Sequence, residues 1–324
     1  MTMRFDVAAF GELVIDLIPA EGKGGDLLFT AKPGGAPGNV AAGVARLGQR
    51  AAMLGKVGPG SLGSLLIETL ARAGVDTHGI VRSQVDPTAL AVVSVNSGGE
   101  SEFMLYRDGC ADSRYEPDDI ALDIVRACRV LHVGSLSLAS PLSAQAQRLA
   151  VDTARSAGAL ISADVNFRPA IWRNLDAMHA TGREAIAGAD IIKVNVEELS
   201  ALAPAADTAT AVRGLWHSNL KVFAVTHGAR GAELFTTRCH VRVAGFPVRV
   251  ADTVGCGDAF MAALLTGLLQ TGPATVGGEE LHNIGRAACA AGAVMAGVVG
   301  AMEHMPRQQD IATLIADLAE QARL

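Results

Sequence analysis

The segment Asp252-Thr253-Val254-Gly255-Cys256-Gly257-Asp258 combines acidic side chains with two glycines just before a strongly helical stretch. Two glycines let the backbone turn its N–H groups toward one point, where the positive end of the helix macrodipole adds to their potential. Such a turn binds an anion such as phosphate. A carboxylate at Asp258 would repel a passive anion, but it could deprotonate a hydroxyl while the amides stabilise a transferred phosphoryl group. The alternative is an ordinary helix start, where acidic residues are common.

A second glycine-rich segment, Pro33-Gly34-Gly35-Ala36-Pro37-Gly38-Asn39, precedes an amphipathic helix that we predict from Val40 to Leu47. Gly34 and Gly35 leave room for a ligand to approach the backbone. We expect Asn39 at the helix N-cap, where its side chain caps the helix or binds a hydroxyl. Upstream, Asp16 stands alone among apolar residues. A buried carboxylate needs partners, so Asp16 either caps a loop or binds the hydroxyls of a sugar.

The elements that must position these residues alternate between helix and strand. Helix–strand units follow one another after Pro117, and a strand-like segment, Gly245 to Val250, leads to the Asp258 turn. This alternation predicts a mostly parallel sheet with helices on both faces, and ligands bind such sheets at the C-terminal ends of the strands. Three of those ends carry polar residues or glycines: Asp164, Asn166 and Arg168; Asn195 and Glu198; Thr226, Gly228 and Gly231. Asn195 and Glu198 form either a reciprocal helix cap or a site that holds Mg²⁺ through its waters.

Two strand-like runs, Thr88–Val95 and Glu102–Arg107, are joined by Asn96-Ser97-Gly98-Gly99, a sequence typical of a β-hairpin turn. This antiparallel insertion interrupts the alternation and would form a lid beside the sheet. Arg107 at its end is either a solvated charge or a group that grips a ligand oxygen. We see no linker and no repeat, so we predict one α/β domain over residues 1–324, with a lid contributed by about 12–32 and 88–107.

The composition excludes several classes of protein. Half of the 324 residues are apolar, only 19% are charged, and the net charge is −6 with Lys and Arg scattered along the chain. A nucleic-acid-binding face would need clustered basic residues, so no nucleic acid partner is expected. The five cysteines form no CxxC pair, and the N-terminus lacks a signal-peptide layout. The uncharged run 287–302 is too short for a membrane span, so we expect a cytoplasmic protein with no membrane partner.

Two segments together, Gly34 to Ala41 and Asp252 to Asp258, resemble the two signatures of the ribokinase-like (PfkB) sugar kinase family in order and separation. The resemblance spans nearly the whole chain. It implies a three-layer α/β/α sandwich with a mostly parallel central sheet and a small β-sheet lid. It also implies phosphorylation of a small-molecule sugar with ATP and Mg²⁺. Cys256 stands where the family usually has Ala, a change that should leave the amide cradle intact but could make activity sensitive to thiol reagents.

The resemblance also implies roles for individual residues. Asp258 is implied to be the catalytic base, and Gly255, Cys256 and Gly257 are implied to form the anion hole beside it. The residues implied to bind the sugar are Asp16, Gly34, Gly35, Asn39, Arg107, Asn166, Arg168 and Asp258. Those implied to bind the nucleotide are Asn195, Thr226, Gly228, Gly231, Gly255, Gly257 and Asn283. The implied cation ligands are Asn195 and Glu198 for Mg²⁺ through water, and Asp252 with the Val254 carbonyl for K⁺.

Within the family, several features are similar to fructokinases: the segment Gly11 to Asp16, the Gly-Gly-Ala-Pro form of the first signature, and Asp164-Val165-Asn166-Phe167-Arg168-Pro169. We therefore expect fructose to be converted to fructose 6-phosphate. Kinases for 2-keto-3-deoxygluconate, ribose or a nucleoside remain alternatives within the family. A non-catalytic sugar-binding regulator on the same fold is the alternative from another class. Lids of this kind often pair between subunits in the family, and the apolar strand Leu90–Val95 would allow such a homodimer.

Overall fold

The computed structural model describes residues 4–20, 26–95, 101–172 and 174–321. The β-strands in these ranges are β1 Phe5–Phe10, β2 Val14–Ala20, β3 Leu28–Gly34, β4 Ala51–Val57, β5 Ile80–Arg82, β6 Ala89–Val95, β7 Ser101–Tyr106, β8 Cys128–Gly134, β9 Leu160–Asp164, β10 Ile191–Asn195, β11 Val222–Thr226, β12 Gly231–Phe235 and β13 His240–Ala244. The α-helices are α1 Ala36–Arg46, α2 Ser61–Arg72, α3 Leu122–Arg126, α4 Pro141–Ser156, α5 Leu175–Ala187, α6 Val196–Leu202, α7 Thr208–Leu215, α8 Cys256–Thr271, α9 Gly278–Ala296 and α10 Gln308–Gln321.

The central sheet contains nine strands in the order β13-β12-β11-β10-β9-β8-β1-β4-β5. All neighbours from β11 to β5 pair in parallel, whereas β12 and β13 add an antiparallel edge. The first strand thus lies inside the sheet, between β8 and β4. Because the strands from β11 to β4 run in one direction, their C-terminal ends and the polar residues that follow them meet at one edge.

Both faces of this sheet are covered by helices. Val7 and Ala9 of β1 pack into a core that includes side chains of α1, α8 and α9, whereas Ala8 and Phe10 pack into a second core with α4 and α6. Successive side chains of a strand point to opposite faces, so this division shows that β1 is buried on both sides. The structure therefore confirms the predicted three-layer α/β/α architecture with a mostly parallel sheet.

Small residues bring α1 and α8 close together on one face. A Cβ atom placed on Gly43 of α1 would lie only 2.6 Å from the Cβ of Ala262 in α8. The abundance of Gly and Ala in the sequence thus serves close helix packing, which fixes the relative positions of the N-terminal ends of these two helices.

A second, four-stranded sheet has the order β3-β2-β6-β7. The β6–β7 pair is antiparallel, as the sequence predicts for the hairpin, and β2 joins β6 in parallel. These strands come from the segments that the sequence assigns to the lid. The predicted turn at Asn96-Ser97-Gly98-Gly99 lies outside the described residues.

Two expectations about local structure are wrong. Residues 245–250 form no strand, since Pro247 offers no N–H to a strand ladder and the last strand ends at Ala244. Asn39 is not an N-cap, because α1 begins at Ala36 after Gly35 and accommodates Pro37 in its first turn. Asn39 instead lies inside the helix, where its side chain points away from the backbone that it was expected to cap.

No helix in the described ranges combines the length and apolar character that crossing a membrane requires. The cytoplasmic location stays a prediction.

Candidate active site

A cavity of about 780 Å³ lies where the C-terminal ends of the central strands meet the second sheet. The predicted site residues that line it are Asp16, Gly35, Asn39, Asn166, Arg168, Asn195, Thr226, Gly228, Val254, Gly255, Gly257 and Asp258. Glu12 and Lys193 also line it, although no site role was predicted for them. The predicted site residues outside this lining are Gly34, Arg107, Glu198, Gly231, Asp252, Cys256 and Asn283. One cavity therefore brings most of the predicted residues together.

The N-terminus of α8 forms the amide cradle. Gly255 precedes the helix in the left-handed conformation, with φ 79° and ψ −6°, and Ala259 N–H closes the first helical turn on its carbonyl at 2.8 Å. The first N–H groups of a helix have no partner within the helix. That of Cys256 donates to the Thr253 carbonyl at 3.3 Å, and we expect the N–H groups that follow it to be available to an anion. The cradle lies at the cavity wall, since Gly255, Gly257 and Asp258 all line it.

Asp258 lies in the first turn of α8 and is only 8% exposed. Asn39 Nδ2 donates a hydrogen bond to Asp258 Oδ2 at 2.7 Å. Burial raises the pKa of Asp258 above its ordinary value, while the hydrogen bond from Asn39 and the charge of Lys193 oppose that rise. Such a carboxylate is more basic than one in water and is held in one orientation, which suits a general base.

Lys193 brings a buried positive charge to the same point. Its Nζ donates to Asp164 Oδ2 at 2.9 Å and to Oδ1 at 3.1 Å. A Cβ atom on Gly257 would lie 2.8 Å from this ammonium group, so Lys193 stands beside the cradle. Burial disfavours the charged form, but the carboxylates of Asp164, Glu198 and Asp258 together raise the pKa of Lys193. The signal that could have revealed it is a lysine inside the otherwise apolar strand β10.

Acidic residues dominate the end of the cavity nearest the second sheet. Burial raises the pKa of Asp16 to about 7, with Arg168 opposing the shift. Burial likewise raises the pKa of Glu12 to about 7. A Cβ on Gly34 would collide with the Asp16 carboxylate, and one on Gly35 would collide with the Glu12 carbonyl. The glycines of the first signature therefore make room for this acidic end rather than only for a ligand.

Asn166 and Arg168 also line the cavity. Arg168 Nη1 donates to Asn166 Oδ1 at 2.5 Å, and both side chains line the cavity. Asn166 has a φ of 44°, a left-handed conformation that non-glycine residues adopt at a cost and that is common at functional sites.

Arg107 is neither a solvated charge nor part of the cavity lining. Its Nε donates to Asp112, and both side chains are buried, at 7% and 4% exposure. Its Nη1 also approaches Ser140 Oγ at 3.4 Å. A direct contact between Arg107 and a sugar stays a prediction.

At the other end of the cavity, Asn195 and Glu198 form the reciprocal helix cap. Asn195 Oδ1 accepts from Glu198 N at 2.8 Å, and Glu198 Oε2 accepts from Asn195 N at 2.8 Å. Glu198 Oε1 also accepts from Phe167 N at 2.8 Å. Both oxygens of Glu198 thus bind backbone amides. The described residues include no group of three or more His, Cys, Asp or Glu side chains arranged to hold a metal ion directly.

Asp252, Gly231 and Asn283 are three of the seven predicted residues that lie outside the cavity lining. Asp252 ties two backbone segments together, because its Oδ1 accepts from Val254 N at 3.1 Å and its Oδ2 from Gly300 N at 3.2 Å. Gly231 begins β12 with a φ of 102°. Asn283 is exposed on α9, and its contact with a nucleotide stays a prediction.

Cys256 lies at the start of α8 and is partly buried. Burial raises the pKa of its thiol to about 11, and the carboxylates of Asp252 and Asp258 add to the effect. The thiolate is the reactive form, so little of it is present near neutral pH. The sensitivity of activity to such reagents stays a prediction.

A helix N-terminus suited to an anion, a buried carboxyl group beside it and strand ends on a doubly covered parallel sheet are typical of a phosphotransferase site. Residues 4–308 match the model of the pfkB family carbohydrate kinases. The chain belongs to this family of carbohydrate kinases.

Individual relatives agree with this assignment. The chain is 37% identical to "Fructokinase-2" of Solanum habrochaites over 318 residues, which cover 95% of each chain. The crystal structure of fructokinase with bound ATP from Xylella fastidiosa matches with a TM-score of 0.90 and 31% identity, covering 97% of this chain and 99% of that one. A putative ribokinase II in complex with ATP and Mg²⁺ from E. coli matches with a TM-score of 0.86 and 25% identity, covering 97% and 99%.

Gly255→Ala should destabilise the protein. An alanine there must adopt a positive φ, and its Cβ would lie 2.7 Å from the Cβ of Ala301. We expect the free energy of unfolding to fall by about 1–3 kcal/mol in urea titrations. Gly214→Ala is the matched control, because nothing lies within 4 Å of a Cβ at that helical position. Equal stabilities of the two variants would contradict the assigned strain.

Proposed function

We propose that this protein transfers the γ-phosphoryl group of ATP to fructose and releases fructose 6-phosphate. The observation that carries the proposal is the position of Asp258, buried in the first turn of α8 between an acidic sugar-binding end and an amide cradle. The names of the fructokinase relatives support fructose as the acceptor, and the relative crystallised with ATP supports the donor.

In this mechanism Asp258 accepts the proton of the attacking sugar hydroxyl. The γ-phosphoryl group of ATP moves in line onto the oxygen of that hydroxyl. The N–H groups of Gly255 and Gly257 and the ammonium group of Lys193 offset the charge that spreads over the phosphoryl oxygens. The N–H of Cys256 would join them only by leaving the Thr253 carbonyl, to which it donates at 3.3 Å. Lys193 is kept charged and oriented by Asp164. Closure of the second sheet over the cavity would exclude water, which otherwise attacks ATP.

The sugar and the nucleotide would occupy opposite ends of the cavity. Asp16, Asn39, Asn166 and Arg168 line the sugar end with hydroxyl-binding groups. Thr226 and Gly228 line the nucleotide end. Direct contacts of Gly34, Arg107, Gly231 and Asn283 with either ligand have less support, because these residues do not line the cavity.

Mg²⁺, when bound, would neutralise charge on the phosphate oxygens. Asn195 and Glu198 fit this ion only through its waters, because both carboxylate oxygens of Glu198 already accept backbone N–H groups. Mg²⁺ commonly keeps several waters, so such an outer-sphere site is chemically reasonable.

The second sheet offers a surface for a homodimer. Leu28 and Phe29 on β3 and Met104 and Tyr106 on β7 are large apolar side chains, and each is between 38% and 59% exposed. Pairing of two such sheets would cover them, and the sedimentation coefficient of the purified protein tests this proposal.

Asp258→Asn should abolish most turnover while leaving sugar binding almost intact. The amide keeps the shape of the side chain but cannot accept the proton, so we expect kcat to fall about a hundredfold or more. ADP release with fructose, 2-keto-3-deoxygluconate, ribose and adenosine measures both activity and acceptor choice. Asp152→Asn on α4 is the control at an exposed carboxylate outside the cavity. Near-normal turnover by Asp258→Asn would refute the base, and absence of ADP release by the unaltered protein would favour a regulator.

Asn39→Leu should move the acid limb of the pH profile of kcat/KM to higher pH. Asp258 must be ionised to act as a base, and the hydrogen bond from Asn39 Nδ2 lowers the pKa of Asp258 by favouring the ionised form. Without that donor the pKa of Asp258 rises further, so activity is lost at a higher pH during acidification. Rates measured between about pH 5 and 8 test the shift, since this limb reports ionisations of the free enzyme. An unmoved limb would contradict the proposed coupling.

K⁺ should accelerate turnover. We propose that K⁺ is held by Asp252 and the Val254 carbonyl, next to the turn that Asp252 ties to Gly300 N. A cation there would hold the Gly255 cradle in place, so we expect rates to be several-fold higher in K⁺ than in tetramethylammonium at equal ionic strength. Equal rates in the two salts would exclude the site.

A further inference from the structure

Unpartnered polar atoms cluster behind the sugar end of the cavity. Glu12 Oε2, Arg107 Nη2 and Asp112 Oδ1 are buried and have no hydrogen-bond partner among the described residues. Arg107 and Asp112 pair with each other through their other atoms. Both act electrostatically on Glu12, so the three side chains form one polar cluster.

Glu12 is the member of this cluster that reaches the cavity. It follows β1 at the edge of the central sheet, lines the cavity and is only 6% exposed. It forms no ion pair within 4 Å among the residues that the structure describes. Gly35 leaves space for its backbone, which brings this segment close to the start of α1. Its carboxyl group is therefore placed to contact whatever occupies this end of the cavity.

A buried carboxyl oxygen without a partner is costly. Leaving such a group unsatisfied costs about 1–3 kcal/mol, and the cost is larger for a charged group. A hydroxyl bound in the cavity could donate to the part of the carboxyl group that lines it, because a carboxylate accepts hydrogen bonds through both oxygens. A carboxylate bound beside Glu12 and Asp16 would be repelled by their ionised forms, an effect that Arg168 in the same lining opposes only in part. These two carboxyl groups thus fit a neutral, hydroxyl-rich acceptor better than an acidic one.

We propose that Glu12 is a specificity-determining residue, which hydrogen-bonds a hydroxyl of the acceptor sugar remote from the phosphorylated one and selects a neutral sugar over an acidic sugar. This proposal rests on the proposed function, since it needs a sugar in this cavity. It assigns to Glu12 a role separate from that of Asp258. Glu12 contacts a hydroxyl that keeps its proton, whereas Asp258 contacts the hydroxyl that loses it.

Fructose analogues that lack one hydroxyl test the contact directly. In the unaltered protein, one of 1-deoxy-, 3-deoxy- and 4-deoxyfructose should show a KM about tenfold to a hundredfold above that of fructose, because its missing hydroxyl leaves Glu12 unpartnered. In Glu12→Leu the KM for fructose should rise by a similar factor. The KM for that one analogue should then equal the KM for fructose. An equal rise in KM for all three analogues in the unaltered protein would overturn the proposal. An unchanged KM for fructose in Glu12→Leu would also overturn it.

Stability separates binding from a structural role. Glu12→Leu removes a buried, unpartnered carboxyl group, so its melting temperature should equal or exceed that of the unaltered protein while its KM rises. A fall in melting temperature of several degrees, with loss of kcat and KM together, would indicate a structural role instead. Glu68→Gln on the exposed face of α2 is the control for an ordinary surface glutamate.

The charge of Glu12 is tested by an acidic acceptor. Glu12→Gln keeps the size of the side chain and removes its negative charge, so the ratio of the affinities for 2-keto-3-deoxygluconate and fructose should rise about tenfold. Calorimetric binding without ATP measures this ratio independently of turnover. If the unaltered protein binds fructose but does not phosphorylate it, the proposed function fails while the binding ratio still decides the role of Glu12. An unchanged ratio would overturn that role.

Discussion

The hydrogen bond from Asn39 to Asp258 joins two side chains that lie 219 residues apart in the sequence. It forms because α1 and α8 begin side by side at the edge of the sheet, where Gly43 and Ala262 allow the helices to approach closely. If the helices were separated by the width of one larger side chain, the base would lose its partner and its orientation. The geometry of the site thus depends on a contact between helices rather than on any loop.

Charge balance is the second constraint on this cavity. Glu12 and Asp258 are buried along its wall and Asp16 is partly buried there, and burial raises the pKa of each. The compensating cations are Lys193, which is itself paired with Asp164, and the more exposed Arg168. Such an arrangement is poor for stability, because several carboxyl groups are desolvated together. It is suited to neutral hydroxyl-bearing molecules, which can donate to these groups without adding charge.

Local sequence was sufficient to predict the features that depend on local chemistry. The turn before α8 was predicted because glycine and acidic residues have strong preferences there, and the hairpin because its strands flank turn residues. The strand expected at 245–250 was wrong because an apolar run does not reveal that Pro247 interrupts a ladder. The start of α1 was placed too late because Gly-Gly-Ala-Pro suggests a turn, although Pro37 is acceptable in a first helical turn.

The residues that were missed depend on non-local packing. Nothing in the sequence around Glu12 shows that its carboxyl group is buried without a partner, and nothing around Lys193 shows that its ammonium group reaches Gly257. The role of Asn283 stays a prediction, since helical periodicity predicts the helix but not which of its residues approaches a distant ligand.

The order of strands in the central sheet has a consequence for synthesis of the protein. The first strand pairs with β8, more than a hundred residues later, and the turn before α8 follows the thirteen strands of the described residues. Contacts between distant segments form late, because the intervening chain must first be closed into a loop. Glu12 and Asp16 therefore leave the ribosome long before Asp258 and the start of α8. Under the proposed mechanism, a chain still too short to contain Asp258 has no base and does not phosphorylate a sugar.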